Sequence, residues 1–94
     1  EEREVYTGNT LDISIDGMLM EALEDITKKD IKVSFNLDGK MYRIKSTILK
    51  KRINYRSGTY LYNLKFSGMS QRQRNEINRY IYDNSARSRR ELNS

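Results

Sequence analysis

The feature that most constrains the fold is a strict alternation of apolar and polar residues in the middle of the chain. Between Ile31 and Leu37, apolar side chains occupy every second position, and a polar side chain separates each pair. A period of two is typical of a β-strand with one buried and one solvated face. Asp38-Gly39 follows directly, and it favours a hairpin turn because both residues tolerate a positive φ angle. The chain is therefore predicted to fold back on itself here as an antiparallel pair.

The same alternation continues on both sides of this hairpin. Tyr42, Tyr60 and Tyr62 fall on the apolar faces of their strands, so we expect these side chains to pack in the core. Ser57-Gly58 has the composition of a second turn. In chain order, strands are predicted over residues 5–10, 11–15, 18–22, 31–37, 40–55 and 60–66, with a loop at 23–30.

The period changes from two to about 3.6 towards the end of the chain, which predicts a helix. Ser70 and Gln73 have the spacing of a capping box, in which each side chain bonds the other residue's exposed amide. Ile77 and Ile81 lie one helical turn apart and form an apolar stripe with Tyr80. This stripe predicts a helix that packs on the preceding strands.

The whole chain is predicted to form one domain of the mainly β class. Strands over about residues 5–66, followed by a helix over about residues 70–90, indicate an antiparallel sheet or small barrel with one helix packed on it. A chain of 94 residues suffices for a single small domain with a modest core. Because the chain opens at Glu1 without an initiator methionine, we expect residues 1–94 to be a fragment of a longer protein.

The composition argues against an enzyme and against a metal site. The chain contains neither cysteine nor histidine, so the commonest general base and two common metal ligands are absent. Its carboxylates have no nucleophile–base pair beside them and form no catalytic constellation. No apolar run approaches the roughly 20 residues of a membrane span, and we expect a soluble cytoplasmic protein without a cofactor.

Charge is unevenly distributed along the chain. Residues 1–30 contain nine acidic and three basic side chains (−6), whereas residues 31–69 contain one acidic and nine basic side chains (+8). Residues 70–94 add three acidic and six basic side chains (+3), which gives the net charge of +5. A surface polarised in this way favours an anionic partner for its basic part.

One polar motif lies beside the first predicted strands. Asp12, Ser14 and Gly17 follow one another in the order Asp-x-Ser-x-x-Gly. The carboxylate can accept two hydrogen bonds from one planar edge, the hydroxyl can donate or accept, and the glycine permits a positive φ angle or a close backbone approach. Such a set suits a compact polar ligand with donors on one edge, such as guanine. The alternative is a polar turn between strands, because all three residue types favour turns.

The motif and its surroundings resemble the PilZ domain family. The resemblance rests on Asp12-x-Ser14-x-x-Gly17, on the antiparallel strands that follow, and on the ending Phe66-Ser-Gly-Met-Ser70…Ile77…Tyr80-Ile81. It implies a six-stranded antiparallel PilZ-like β-barrel with a C-terminal helix, and binding of the bacterial second messenger cyclic di-GMP. By this resemblance Asp12, Ser14 and Gly17 line the guanine-binding surface, and bound nucleotide repositions a neighbouring domain or partner protein.

The sequence departs from the family pattern in one respect. Family receptors carry a second motif, Arg-x-x-x-Arg, upstream of the first one, whereas here Arg3 is the sole arginine before Asp12. We expect that the chain starts inside the domain, that its barrel lacks the first strand, and that it binds cyclic di-GMP weakly or not at all by itself. The open sheet edge or the C-terminal helix would then allow self-association into a homo-oligomer.

A later segment has the same residue pattern as the missing motif. Arg52 and Arg56 have the spacing Arg-x-x-x-Arg but follow the Asp-Ser-Gly motif instead of preceding it. We expect them on a solvated strand face, with phosphate contacts as the alternative. Two other functions stay open: a PilZ-type adaptor that binds a protein and no nucleotide, and a small barrel that binds single-stranded nucleic acid through its tyrosines and basic residues.

Overall fold

A computed structural model describes the backbone of residues 5–93 and the side chains of residues 5–84. Within that part of the chain six strands precede one helix, which confirms the mainly β class and the closing helix. In chain order the elements are β1 (Val5–Thr7), β2 (Asn9–Ile13), β3 (Gly17–Ala22), β4 (Asp30–Leu37), β5 (Lys40–Asn54), β6 (Thr59–Gly68) and α1 (Gln71–Asn93).

The strands form one sheet in the order β1-β4-β5-β6-β3-β2. Neighbouring strands are antiparallel except for β1 and β4, which run parallel. The sheet is therefore mixed, and hydrogen bonding does not close it. This corrects the expectation of purely antiparallel pairing and agrees with an incomplete PilZ-like barrel.

The two edge strands, β1 and β2, are consecutive in the chain and are separated only by Gly8. Residues before Gly8 pair with β4 at one edge, and residues after it pair with β3 at the other edge. Gly8 allows this crossing because it packs directly on β3: a Cβ atom there would lie 2.6 Å from Met20 Cγ and 2.7 Å from the Glu21 carbonyl oxygen. The strand predicted over residues 5–10 is thus divided, and the chain itself links the two sheet edges.

The central hairpin has the predicted turn. Asp38 and Gly39 both have positive φ angles, of 52° and 85°. The turn sets the register of β4 and β5, in which Phe35 lies opposite Tyr42. The next hairpin joins β5 to β6 through residues 55–58, where Gly58 has a φ angle of 72°.

One face of the sheet, called the inner face, carries the core. Phe35 is fully buried, and its ring stacks with those of Tyr42 and Phe66 at centroid distances of 5.9 Å and 6.1 Å. Tyr62 is fully buried and Tyr60 half-buried, which confirms core packing of these tyrosines and leaves Tyr42 and Tyr62 without an exposed ring for a nucleic-acid base. The other buried apolar residues are Met18, Met20, Ala22, Ile26, Ile31, Val33, Leu37, Ile44, Leu64 and Ile77.

Helix α1 begins with the predicted capping box. The Gln73 N–H donates to Ser70 Oγ at 3.1 Å, and the Ser70 N–H donates to the Gln73 side-chain oxygen at 3.0 Å. Ile77 is fully buried, and Tyr80 and Ile81 pack against the core beside it. The apolar stripe therefore attaches the helix to the inner face, as predicted. Within the described residues, no helix has the length and apolar character needed to span a bilayer.

Candidate ligand-binding site

The Asp-Ser-Gly motif forms a tight turn between two strands. Asp12 lies in β2, Ser14 follows that strand, and Gly17 is the first residue of β3. The Ser14 N–H donates a 2.8 Å hydrogen bond to the Gly17 carbonyl oxygen, and the Ser14 hydroxyl donates to the same oxygen at 3.3 Å. The Phe66 N–H donates to the Asp16 carbonyl oxygen at 2.8 Å. These hydrogen bonds fix the shape of the turn and tie it to β6.

Gly17 is required for close packing and not for a left-handed backbone. Its φ angle is not positive, in contrast to those of Gly39 and Gly58. A Cβ atom at Gly17 would lie 2.0 Å from the Leu64 carbonyl oxygen on β6, far inside van der Waals contact. The sequence allows two reasons for a glycine here, a positive φ angle or a close backbone approach, and only the second applies. Gly17 is the first residue of β3 and lets this strand lie against β6.

The three motif residues line one cavity of about 570 Å³, called the motif cavity, on the solvated outer face of the sheet. A cavity of this size lies in the range that holds small-molecule ligands. The structure thus brings Asp12, Ser14 and Gly17 together at the surface. The other lining residues come from the same hairpin and from β5 and β6: Ile13, Asp16, Met18, Leu19, Leu49, Asn63, Leu64 and Lys65.

The register of the strands places four outward-facing side chains in one row at the motif cavity. Asp12 lies opposite Leu19 in the pairing of β2 with β3. Asn63 of β6 lies opposite Leu19 on one side and opposite Lys50 of β5 on the other. Neighbouring strands are about 4.8 Å apart, so this row of four residues runs roughly 14 Å across the outer face. The cavity therefore lies on a surface to which four strands contribute.

The motif cavity carries charges of both signs. Asp12 and Asp16 supply carboxylates, whereas Lys65, opposite Gly17 in the register of β3 and β6, supplies an ammonium group. Asp12 and Lys65 are exposed and bond no other described side chain, so both charges are hydrated and available to a ligand. Among the residues that the structure describes, no three carboxylates are grouped closely enough to hold a metal ion.

The structure does not bring Arg52 or Arg56 to the motif cavity. Arg52 is an exposed residue of β5 opposite Leu61, which confirms a solvated strand face at this position. Arg56 lies in the turn that follows Asn54, because β5 ends before it. The two arginines therefore do not share one strand, and phosphate contacts by either of them stay a prediction.

The residues of the motif cavity that sequence reasoning missed include Leu49, Asn63 and Lys65. Alternation places Asn63 and Lys65 on the solvated face of β6, but it does not show that β6 pairs with β3. Leu49 is the extra residue of a bulge, where the register of β5 shifts between Ile48 and Lys50, and its side chain is 63% exposed. The strand order, and not a sequence motif, brings these residues to the cavity.

A second cavity, of about 500 Å³, separates helix α1 from the β4–β5 hairpin and is called the helix cavity. Glu76 at its wall accepts hydrogen bonds from Lys40 Nζ at 2.7 Å and from the Tyr42 hydroxyl at 3.1 Å. Arg72 Nε, one helical turn earlier, donates to the same carboxylate at 3.3 Å. The bond from Lys40, helped by the other two, outweighs burial and lowers the pKa of Glu76. Burial, with the adjacent Glu76 carboxylate, raises the pKa of Tyr42.

Comparison with known families agrees with the motif and with the fold. The family model of the PilZ domain matches residues 1–83, a range that contains all six described strands, the motif cavity and the first turns of helix α1. No curated protein and no solved structure matches the chain. The family match confirms the resemblance that the Asp-Ser-Gly motif indicates.

Proposed function

The chain belongs to the PilZ domain family, and on that premise we propose that it is a receptor domain for cyclic di-GMP. The observation that carries this proposal is that Asp12, Ser14 and Gly17 line one cavity on the outer face of the sheet. The family consists generally of ligand-binding receptors, so the domain is proposed to bind and not to catalyse. Because cyclic di-GMP is an intracellular second messenger, the proposal places the domain in the cytoplasm.

Each motif residue has a role that its position supports. The exposed Asp12 carboxylate accepts hydrogen bonds from the donor edge of a guanine base. The Ser14 hydroxyl, which faces the Gly17 carbonyl oxygen at 3.3 Å, can rotate to donate to a base or phosphate oxygen. Gly17 keeps β3 against β6 and so preserves the floor of the cavity.

Ligand binding is proposed to be passed on through β6. The hydrogen bond between Phe66 and Asp16 connects the motif turn to this strand. The strand ends at Gly68, two residues before the Ser70 cap of helix α1. A shift of the turn on ligand binding would therefore move the strand that leads into the helix, and we propose that this movement repositions a neighbouring domain or a partner protein.

Substitution of Asp12 tests the proposed function. Asp12→Ala removes the charge-assisted hydrogen bonds to guanine and should weaken cyclic di-GMP binding by about 1–3 kcal/mol in isothermal titration calorimetry. Because Asp12 is exposed, the melting temperature should stay the same. Asp83→Ala, which removes an exposed carboxylate at the helix cavity, is the matched control and should leave binding unchanged. Unchanged affinity of folded Asp12→Ala would remove Asp12 from the site.

A PilZ-type adaptor that binds no nucleotide is the second candidate function. One observation favours it: no arginine is among the described residues that line the motif cavity. The two candidates differ in an NMR titration of the wild-type chain with cyclic di-GMP, which detects weak as well as tight binding. A receptor should shift the amide signals of Asp12, Ser14 and their neighbours, whereas an adaptor should shift none of them.

A further inference from the structure

The polar surface of the motif cavity extends beyond the Asp-Ser-Gly turn. Lys65 lines the cavity and lies opposite Gly17, so its Cα is a direct cross-strand neighbour of the motif. Lys50 does not line the cavity but lies beside it on the next strand, opposite Asn63, at the far end of the row that begins at Asp12. Both lysines are exposed and project from the outer face. The Asp12 carboxylate and the Lys65 ammonium group thus lie on opposite sides of β3, and Lys50 adds a positive charge beyond Lys65.

Lys50 and Lys65 have no carboxylate partner in the described part of the chain, as is also true of Lys32 and Lys45, whereas two other lysines of the sheet are paired. Lys40 pairs with Glu76, and Lys51 pairs with Asp25. Neither the Lys50 side chain nor the Lys65 side chain forms a hydrogen bond or ion pair with any other residue in the described part of the chain. Their positive charges are therefore not neutralised by the fold, and an anion that enters the cavity meets them without first breaking a salt bridge.

The separation of charge across the motif cavity matches the two ends of a guanine nucleotide. The base has hydrogen-bond donors on one edge, which suit a carboxylate, and the phosphate is an anion, which suits an ammonium group. A lysine acts on phosphate as a compact point charge with three donors. A base placed at Asp12 would therefore direct its phosphate across β3 towards Lys65, with Lys50 beyond the cavity on β5.

We propose that Lys65 binds a phosphate group of the nucleotide and that Lys50 contributes a second positive charge beside it. The ligand then lies across the strands, with a guanine over β2 and a phosphate over β6 and β5. This assignment rests on the proposed function, since it takes cyclic di-GMP as the occupant of the motif cavity. It requires no arginine in the cavity, because the two lysines supply the charge that a phosphate needs.

The test is an NMR titration of the 94-residue chain with cyclic di-GMP, using charge-matched variants. Lys65→Met keeps most of the aliphatic side chain and removes the charge, and it should weaken binding about tenfold. Lys65→Arg restores a cation and should recover most of the affinity. Arg43→Met removes the same charge from an exposed position of β5 outside the cavity, and it should bind like the wild type. Melting temperatures of all variants verify that each is folded.

Salt provides a second measurement. Raising ionic strength from about 0.05 M to about 0.5 M should weaken wild-type binding more than binding by Lys65→Met. Salt screens the attraction between Lys65 and the phosphate in the wild type, and the variant lacks this attraction. Equal affinities of Lys65→Met and wild type, with Asp12→Ala still impaired, would overturn the lysine assignment and leave the proposed function intact. Equal losses of affinity for cyclic di-GMP in Lys65→Met and Arg43→Met would also overturn the lysine assignment, because the change in net charge would then explain the weaker binding. A wild-type chain that binds no cyclic di-GMP would overturn both.

Discussion

The helix cavity and the motif cavity differ in what their central charged side chains contact. At the helix cavity, Glu76 is bonded by Lys40 and Tyr42, and 28% of its side chain is exposed. At the motif cavity, Asp12 and Lys65 are both exposed, and neither bonds another described side chain. At the helix cavity, Glu76 and its partners thus join two elements, whereas at the motif cavity Asp12 and Lys65 face only solvent.

This difference separates groups that stabilise the fold from groups that are free to bind. A polar group that loses its water on folding must find a partner in the protein, or the fold loses about 1–3 kcal/mol. An exposed charge keeps its water and can exchange that water for a ligand. Hydrated, unpaired charges around a cavity are therefore better candidates for ligand binding than charges that already bond one another. The volumes of the motif cavity and the helix cavity are similar, so volume does not distinguish them.

The largest effect is expected at Gly17, where the motif cavity depends on backbone packing. Gly17→Ala would place a Cβ atom 2.0 Å from the Leu64 carbonyl oxygen, so β3 and β6 must separate. These strands carry the cavity on one face and core residues on the other. We expect the free energy of unfolding to fall by about 3 kcal/mol, measured by chemical denaturation.

Gly39→Ala is the control for the loss of a glycine. Gly39 has a φ angle of 85°, but nothing lies within 4 Å of an added Cβ atom, so only backbone strain of about 1–2 kcal/mol is expected. If Gly17→Ala cost no more than Gly39→Ala, close contact between β3 and β6 would not limit the fold. The floor of the motif cavity would then tolerate a side chain at this position.

A smaller effect, of about 2 kcal/mol in the free energy of unfolding, is expected for Tyr62→Phe. The buried Tyr62 hydroxyl accepts a hydrogen bond from the Ile26 N–H and donates one to the Glu24 carbonyl oxygen, both at 2.7 Å. Its loss leaves the Ile26 amide without its partner. Tyr55→Phe, at a side chain that is 88% exposed, should have no measurable effect. Equal stabilities of Tyr62→Phe and the wild type would show that water replaces the buried hydroxyl. The distinction between paired and hydrated polar groups would then be weaker.

The parts of the fold that depend on local sequence could be predicted. The turn at Asp38-Gly39 and the cap at Ser70 involve residues within a few positions of one another, so their chemistry is visible in the sequence. The division of the first strand at Gly8 could not be predicted in this way. It depends on the pairing of β1 with β4 and of β2 with β3, and the first of these pairings joins segments far apart in the chain.

The candidate site shows the same limit. Asp12, Ser14 and Gly17 could be identified because they lie within six positions and form one turn. Lys65 and Lys50 could be assigned to solvated faces, but only the strand order reveals that β6 lies beside the motif and that β5 follows it. The sequence therefore predicts the Asp-Ser-Gly part of the motif cavity, and the three-dimensional pairing adds Lys65 to it, with Lys50 beside it.

The smallest effect is expected at Glu76, and it concerns the pH dependence of stability. The bond from Lys40 lowers the pKa of Glu76 in the folded state, so the folded state holds its proton less tightly than the unfolded state does. The resulting stabilisation is present above the unfolded pKa and is lost as the pH falls through the folded pKa. Glu76→Gln should reduce the loss of melting temperature between about pH 6 and about pH 3. Asp83→Asn, at a carboxylate of the same cavity that bonds no described residue, should retain the wild-type loss. If the melting temperature of Glu76→Gln depended on pH as that of the wild type does, this carboxylate would not stabilise the contact between the helix and the sheet. The helix cavity and the motif cavity would then differ less than their hydrogen bonds indicate.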